Sequence, residues 1–115
     1  MSLVNLLQKQ VESRARALCH SRNRSLPVEL GKSDYEPLNN GVQFIKQHYL
    51  LDSSHCDYSS NVARIMWNTE AEHWELTIPS EEGEEWIPYP FLFKSMDLTA
   101  LTREVEKDPK SYIWE

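Results

Sequence analysis

Two neighbouring segments decide the fold: VARIMWN at residues 62–68 and HWELTIP at residues 73–79, separated by the turn TEAE at 69–72. In both segments alternate positions carry large apolar side chains, a period that is typical of β-strands. Pairing Trp67 with Trp74 across the turn places the apolar side chains of both segments on one face. The two segments therefore predict a β-hairpin with one buried face.

The buried face of this hairpin extends into both flanking segments. Residues 85–89 predict a further strand, in which Ile87 pairs with Ile78. Upstream, NNG at 39–41 is a tight-turn sequence because Asn and Gly tolerate positive φ, and residues 42–51 after it are rich in strand-forming side chains. We expect an antiparallel meander of four or five strands. Its predicted core face consists of Ala63, Ile65, Trp67, Trp74, Leu76, Ile78, Ile87 and Tyr89.

Helices at both ends complete the prediction. Apolar residues recur every three or four positions near the N-terminus, which predicts a helix from Ser2 to about Cys19 or His20 whose apolar stripe covers the sheet. Residues 98–107, capped by the preceding aspartate, predict a short second helix. The aromatic ending at 111–114 is predicted to pack back onto the fold.

Three stretches carry weaker signals. We expect a frayed exit from the first helix at residues 21–25. Residues 28–38 show no clear pattern, because a glycine and a proline interrupt them. Residues 52–61 predict a polar loop. With 115 residues of ordinary composition, the chain is predicted to form one α+β domain over residues 1–115.

The chain carries a net charge of −6 that is unevenly distributed. Residues 1–24 hold five basic side chains and one acidic one, whereas residues 70–85 hold seven glutamates and no Lys or Arg. An acidic body repels phosphate, so nucleic acid is disfavoured as a partner. The basic side chains could contact RNA, an anionic membrane or an acidic partner, but we favour internal pairing or solvation. These side chains are Arg14, Arg16, Arg22 and Arg24.

Three features of the sequence point to the cytoplasm. No apolar run approaches the roughly 20 residues needed to cross a bilayer. The N-terminus lacks the pattern of a signal peptide. Two cysteines, Cys19 and Cys56, are too few for a secreted disulfide scaffold. We therefore expect a cytoplasmic protein without membrane association, while the sequence leaves the oligomeric state open.

Cysteine and histidine side chains are the strongest candidates for chemistry. Cys19-His20 and His55-Cys56 together supply the donors of a tetrahedral zinc site. Adjacent residues rarely ligate the same metal, however, and neither pair has the spacing of a zinc motif. A nucleophilic thiol at Cys19 is disfavoured because the dipole at a helix C-terminus opposes the thiolate. We therefore predict no metal, no cofactor and no catalytic residue.

Four tryptophans leave a candidate binding surface outside the predicted core. By register, Trp86 and Met66 point to the sheet face opposite the core. If the C-terminal segment covers Trp86, these residues form a second small core. If it does not, the exposed side chains form a protein-binding patch. The candidate patch consists of Trp86, Met66, Tyr58, Tyr112 and Trp114.

The second half of the chain carries a family resemblance. The segments concerned are VAR at 62–64, HWEL at 73–76, EWIPY at 85–89, the helix at 98–105 and YIW at 112–114. With these segments, residues 62–114 resemble a small bacterial family of uncharacterised proteins, a domain of unknown function of similar length. The resemblance implies a bacterial cytoplasmic protein without an established activity, and it transfers no catalytic residue.

These observations support three functional hypotheses. The leading one is a non-enzymatic protein-binding or regulatory module of the bacterial cytoplasm, which engages another protein through the Trp86 face. One alternative is a small-ligand site or minor enzyme in a cleft near His48, His55 and Cys56. Another is an acidic secretion chaperone, a class that shares the size and charge sign but has a long helix between the middle strands.

Overall fold

The computed structural model describes residues 3–25, 32–48 and 58–114. The elements are, in chain order, α1 (Leu3–Ser25), β1 (Lys32–Leu38), β2 (Gly41–His48), β3 (Tyr58–Asn68), β4 (His73–Pro79), β5 (Trp86–Pro88), β6 (Lys94–Ser95) and α2 (Leu98–Lys107). The strands form one antiparallel sheet in the order β1-β2-β3-β4-β5, and β6 pairs with β4. The architecture confirms the predicted α+β class with a helix at each end.

The central hairpin has the predicted register. Trp67 pairs with Trp74 and Ile65 with Leu76. The two indoles meet in a T-shaped contact with ring centroids 5.2 Å apart. Both side chains therefore lie on the same sheet face, as the alternation in the two strands requires.

The outermost strand β5 extends this face, but one of its side chains is less covered than predicted. Ile78 pairs with Ile87 as expected, and Tyr89 donates its backbone N–H to the carbonyl of Leu76 at 3.0 Å. Tyr89 is fully buried, whereas Ile87 remains 38% exposed. The reason is that the helices pack mainly over β1, β2, β4 and β6, which leaves the short strand β5 less covered.

Two helices cover the same face of the sheet. From α1, Val11, Ala15 and Leu18 of the predicted stripe are buried, and the helix packs over β1 and β2. From α2, Leu98, Leu101 and Val105 are buried and face β4. These side chains belong to one contiguous core cluster. Burying each large aliphatic side chain contributes about 1.5–3 kcal/mol to stability, so the shared core holds both helices to the sheet.

The first helix runs one turn further than the sequence predicts. Instead of fraying after His20, α1 continues to Ser25. Arg22 donates from Nε to Ser33 Oγ at 3.0 Å and from a terminal guanidinium nitrogen to the Glu106 carbonyl at 2.7 Å. Tertiary contacts therefore stabilise a last turn that has weak helical propensity of its own.

Strand β1 was missed by the sequence pattern because a proline interrupts it. The side chain of Asn23 accepts from Ser33 N–H and donates to Ser33 C=O, at 2.7 and 2.9 Å, so these backbone groups point away from β2. Two residues on, the outward N–H of Tyr35 donates to Asp34 Oδ1 at 2.7 Å. Pro37 occupies the next outward position, where its missing N–H costs no ladder bond.

The boundaries of the middle strands also differ from the prediction. Residues 58–61, predicted as part of a polar loop, belong to β3 and pair with β2. Ladder bonds to the neighbouring strand override their polar composition. The turn between β1 and β2 is formed as predicted, with Asn40 at φ 64°. Residues 49–57 lie outside the described residues, and with them the predicted end of β2.

Asp108 ties the C-terminal segment to the end of α2. Its backbone has φ 42°, and its buried carboxylate accepts four bonds from three backbone N–H groups. Tyr112 N–H and Ile113 N–H donate to Oδ1, and Ile113 N–H and Trp114 N–H donate to Oδ2, at 2.9–3.2 Å. A carboxylate that satisfies several backbone donors is a strong local anchor.

Trp114 is packed into the core by this anchor. Its indole N–H donates to the Val105 carbonyl at 2.7 Å, and its ring contacts Phe44 edge to face with centroids 6.2 Å apart. The guanidinium of Arg22 lies 4.5 Å from the ring centroid. Lys46 Nζ donates to the Trp114 carbonyl at 2.7 Å. The aromatic ending thus packs back, as predicted.

Replacing Asp108 with Ala should lower the free energy of unfolding by about 3 kcal/mol, because several backbone donors lose their charged acceptor. Alanine also adds backbone strain at the positive φ of this position, whereas glycine does not. Asp108→Gly therefore measures the loss of the carboxylate without that strain. Urea unfolding followed by tryptophan fluorescence measures both variants, with exposed Arg103→Ala as the control. Asp108→Gly with wild-type stability would show that the carboxylate contributes nothing.

Candidate functional site

The predicted protein-binding residues do not form one surface. Trp114 is buried at 4% exposure, which corrects its place in the candidate patch, because the Asp108 anchor draws it into the core on the helix-covered side. Tyr58 stacks on His48 with ring centroids 4.3 Å apart, at one end of the sheet. Tyr112 contacts Phe91 at 5.2 Å. Only Trp86 and Met66 remain on the open sheet face.

The open sheet face carries a chain of side-chain contacts across three strands and the edge. Gln43 Nε2 donates to Glu36 Oε1 at 2.5 Å, and Arg64 Nε donates to Gln43 Oε1 at 2.9 Å. The Arg64 guanidinium lies 4.0 Å from the centroid of the Trp86 ring. One side of the indole is therefore covered by a side chain of the same molecule, an arrangement that stabilises the open face internally.

The predicted basic residues separate around α1. Arg22 points inward and is engaged by Ser33, Glu106 and Trp114. Arg14, Arg16 and Arg24 are exposed. Arg14 and Arg16 are two residues apart, so they project about 200° from each other around the helix. The four arginines therefore form no continuous basic surface.

The cysteine and histidine pairs supply no assembled site within the described residues. Cys19 is buried, and burial together with the Asp34 carboxylate raises the pKa of its thiol from 9.0 to about 12. His20 is exposed on α1, while His55 and Cys56 lie outside the described residues. Among the residues that the structure describes, no group of three or more His, Cys, Asp or Glu side chains could hold a metal ion.

The remaining histidines have local partners. His73 Nε2 lies 2.9 Å from Glu75 Oε2, and Asn68 Nδ2 donates to the same oxygen at 3.1 Å. The bond with His73 lowers the pKa of Glu75 most, and the bond from Asn68 adds to this. Burial and then the charge of Lys46 lower the pKa of His48. Both imidazoles therefore interact with neighbouring side chains on the surface of the sheet.

A pocket of about 310 Å³ lies where α1, the start of α2 and the central hairpin meet. We name it the Trp67–Trp74 pocket. Its lining residues are Leu7, Gln10 and Arg14 from α1, Trp67 and Trp74 from the sheet, and Met96, Asp97, Leu98 and Thr99 around the start of α2. The volume is within the range of sites for small ligands or inserted side chains.

The walls and rim of this pocket differ in character. Trp74 and Leu98 are almost fully buried, whereas Met96 is 82% exposed at the rim. Asp97 Oδ1 accepts the N–H of Thr99 at 3.0 Å as the cap of α2. The guanidinium of Arg14 has no ion pair or hydrogen bond with any residue that the structure describes. The pocket thus combines apolar side chains with polar and charged ones, among them Arg14 and Asp97.

Sequence reasoning assigned the two indoles to the core and did not find the pocket. The spacing of Leu7, Gln10 and Arg14, at three- and four-residue steps, places them on one side of α1. This spacing predicts that the three side chains share one side of α1. The sequence of α1 does not indicate that this side meets Trp67 and Met96. The pocket arises only when both helices are docked on the hairpin.

Fold and pocket define an α+β domain in which two helices cover one face of an antiparallel meander and leave a cleft between them. The chain belongs to the family described as domain of unknown function DUF3024, whose model matches residues 3–115. This match confirms the family resemblance and extends it to the N-terminal helix. No curated protein and no solved structure matches the chain significantly. No described helix is long and apolar enough to cross a membrane.

Stability should decrease as the pH rises from about 9 to 12. Burial raises the pKa of Cys19 to about 12, and burial followed by the Glu104 carboxylate raises that of Tyr89 from 10.0 to about 12. Both groups ionise earlier in the unfolded chain, which then binds fewer protons than the folded one, so alkali favours unfolding. Urea midpoints between pH 7 and 11 measure this loss.

Single variants separate the two contributions. In Cys19→Ala, stability should begin to fall at about pH 10 instead of about pH 9, because Tyr89 begins to ionise in the unfolded chain near pH 10. Tyr89→Phe should reduce the loss above pH 10. An alkaline profile identical to wild type in both variants would contradict the assignment.

Proposed function

We propose that this chain is a non-enzymatic protein-binding module of the bacterial cytoplasm, and that its contact site is the Trp67–Trp74 pocket. The observation that carries the proposal is the composition of the pocket. Two indoles, an exposed methionine and Arg14 are among its lining side chains. Aromatic, methionine and arginine side chains are enriched where proteins bind one another.

The polar groups of the pocket are suited to holding a ligand. Arg14 is a fixed positive charge, and the amide of Gln10 does not titrate. One oxygen of the Asp97 carboxylate accepts the Thr99 N–H. The described thiol, Cys19, has a pKa of about 12 and does not line the pocket. Binding therefore explains this set of groups better than proton transfer or nucleophilic attack.

A protein segment fits this site better than a small metabolite does. Apolar exposure is found at the rim, where Met96 is 82% exposed, and on Leu6 outside the lining, which is 50% exposed. Leu6 lies four residues before Gln10, so both occupy the same side of α1. A partner whose side chain enters the pocket would also cover these neighbours, whereas a small molecule would leave them exposed. Met96 is unbranched and can adapt to the partner.

Two other locations from the sequence hypotheses receive less support. The Trp86 face is covered in part by Arg64, whose guanidinium stacks on the indole. The cleft hypothesis near His48 concerns the opposite end of β2, because Gly41 begins that strand beside the pocket and His48 ends it. Seven residues of strand separate the two by roughly 20 Å.

Selection from a library of displayed 12-residue peptides tests the proposed site. We expect enriched peptides to bind wild-type protein and to lose at least tenfold in affinity to Met96→Asp, which places a charge at the rim without disturbing the core. Trp86→Ala should bind as wild type does. Thermal melts verify that both variants are folded.

Two results would overturn the proposal. One is enrichment of peptides that bind Met96→Asp as tightly as wild type, which would place the contact elsewhere. The other is loss of binding in Trp86→Ala alone, which would assign the contact to the open sheet face. Failure to enrich any peptide over an unrelated control protein would also count against a protein-binding role.

A further inference from the structure

The charge at the rim of the Trp67–Trp74 pocket restricts the ligand. Arg14 is exposed, lines the pocket, and is engaged by no residue that the structure describes. It lies seven residues after Leu7 and four after Gln10, on the side of α1 that faces the cleft. A guanidinium that borders an apolar cavity is suited to a carboxylate, which it can bind through two parallel hydrogen bonds.

A second charged residue of the lining restricts the orientation of that carboxylate. Asp97, at the start of α2, also lines the pocket and uses one oxygen to cap Thr99. A ligand carboxylate near Asp97 would be repelled, while one near Arg14 would be attracted. The ligand must therefore present its acidic group toward α1 and its apolar group toward Trp67 and Trp74.

The rest of the molecule limits the ligand to few charges. The net charge is −6, and Glu70 and Glu72 are exposed in the turn that joins the strands of Trp67 and Trp74. A polyanion would be repelled by this field over distances up to the Debye length, about 8 Å at physiological salt. A ligand with a single carboxylate beside an apolar group can bind Arg14 and is repelled only weakly by the acidic side chains of the protein.

We infer that the Trp67–Trp74 pocket recognises a partner segment in which an aromatic or long aliphatic residue stands next to an acidic residue, with Arg14 as the anchor for the acid. The inference rests on the proposed function and specifies its partner chemistry. The apolar side chain enters between the indoles and Leu7, and the neighbouring carboxylate turns back to α1.

Matched peptides test the partner chemistry directly. The probes are acetyl-GSEFSG-amide and acetyl-GSQFSG-amide, titrated into ¹⁵N-labelled protein while the indole N–H resonances of Trp67 and Trp74 are followed. We expect both peptides to shift these resonances and the glutamate peptide to bind about threefold to fivefold more tightly at low salt, the gain typical of an exposed ion pair. In 0.5 M NaCl the difference should shrink.

Variants of two exposed arginines of α1 test whether Arg14 supplies the charge that binds the glutamate of the peptide. Arg14→Gln should abolish the preference for the glutamate peptide, whereas Arg24→Gln, which removes an equal charge away from the pocket, should preserve it. In Arg14→Glu the preference should reverse toward acetyl-GSKFSG-amide. Equal binding of the glutamate and glutamine peptides to wild type would overturn the inference and leave the pocket as a binding site.

Two further outcomes would be distinguishable from equal binding of the two peptides. If neither peptide shifts the Trp67 and Trp74 resonances, the proposed pocket function itself fails. If only a peptide ending in a free carboxylate, acetyl-GSGSF, binds, the pocket takes a chain terminus and the internal acidic residue is excluded.

Discussion

The contact between Trp67 and Trp74 fixes the pairing of the central hairpin, and the rest of the structure depends on that pairing. Their indoles meet edge to face at 5.2 Å on the side of the sheet that the helices cover. A shift of β4 by one residue relative to β3 would turn Leu76 and Trp74 to the open face. The surface of β4 against which α2 packs would then be lost. The same two residues also line the pocket, so one contact serves both folding and the proposed recognition.

Much of this fold is predictable because it follows from periodicity. The alternation in β3 and β4 predicts their register, and the pairing of Ile78 with Ile87 continues it. The recurrence of apolar residues in α1 predicts the buried stripe. Each of these conclusions concerns side chains on one regular element or across one short turn, where geometry leaves few choices. The pocket is different, because its lining comes from residues 7–14, 67–74 and 96–99, and no local pattern shows that these segments meet.

The features that sequence reasoning missed are polar contacts between distant segments. Asp108 follows α2 and reads as a helix stop, yet its carboxylate holds three backbone N–H groups. Arg22 is expected to pair internally or to be solvated, but the sequence does not indicate its partner, the Glu106 carbonyl, which is 84 residues away. Asn23 gives no signal for its contact with β1. A polar side chain has many acceptable partners in water and in the protein, so its sequence neighbours do not determine which partner it takes.

The occupied backbone groups along β1 have a consequence for how this molecule associates. On the outer side of β1, the side chain of Asn23 binds both the N–H and the C=O of Ser33, and Asp34 accepts from the Tyr35 N–H. Pro37 has no N–H. The far side ends in strands of three and two residues. Within the described residues, neither border of the sheet offers a long row of vacant donors and acceptors. An extended peptide or a second copy therefore gains little by β-augmentation there, and fibrillar stacking is opposed in the same way. The proposed recognition would then proceed through side chains, which makes partner choice a matter of shape and charge.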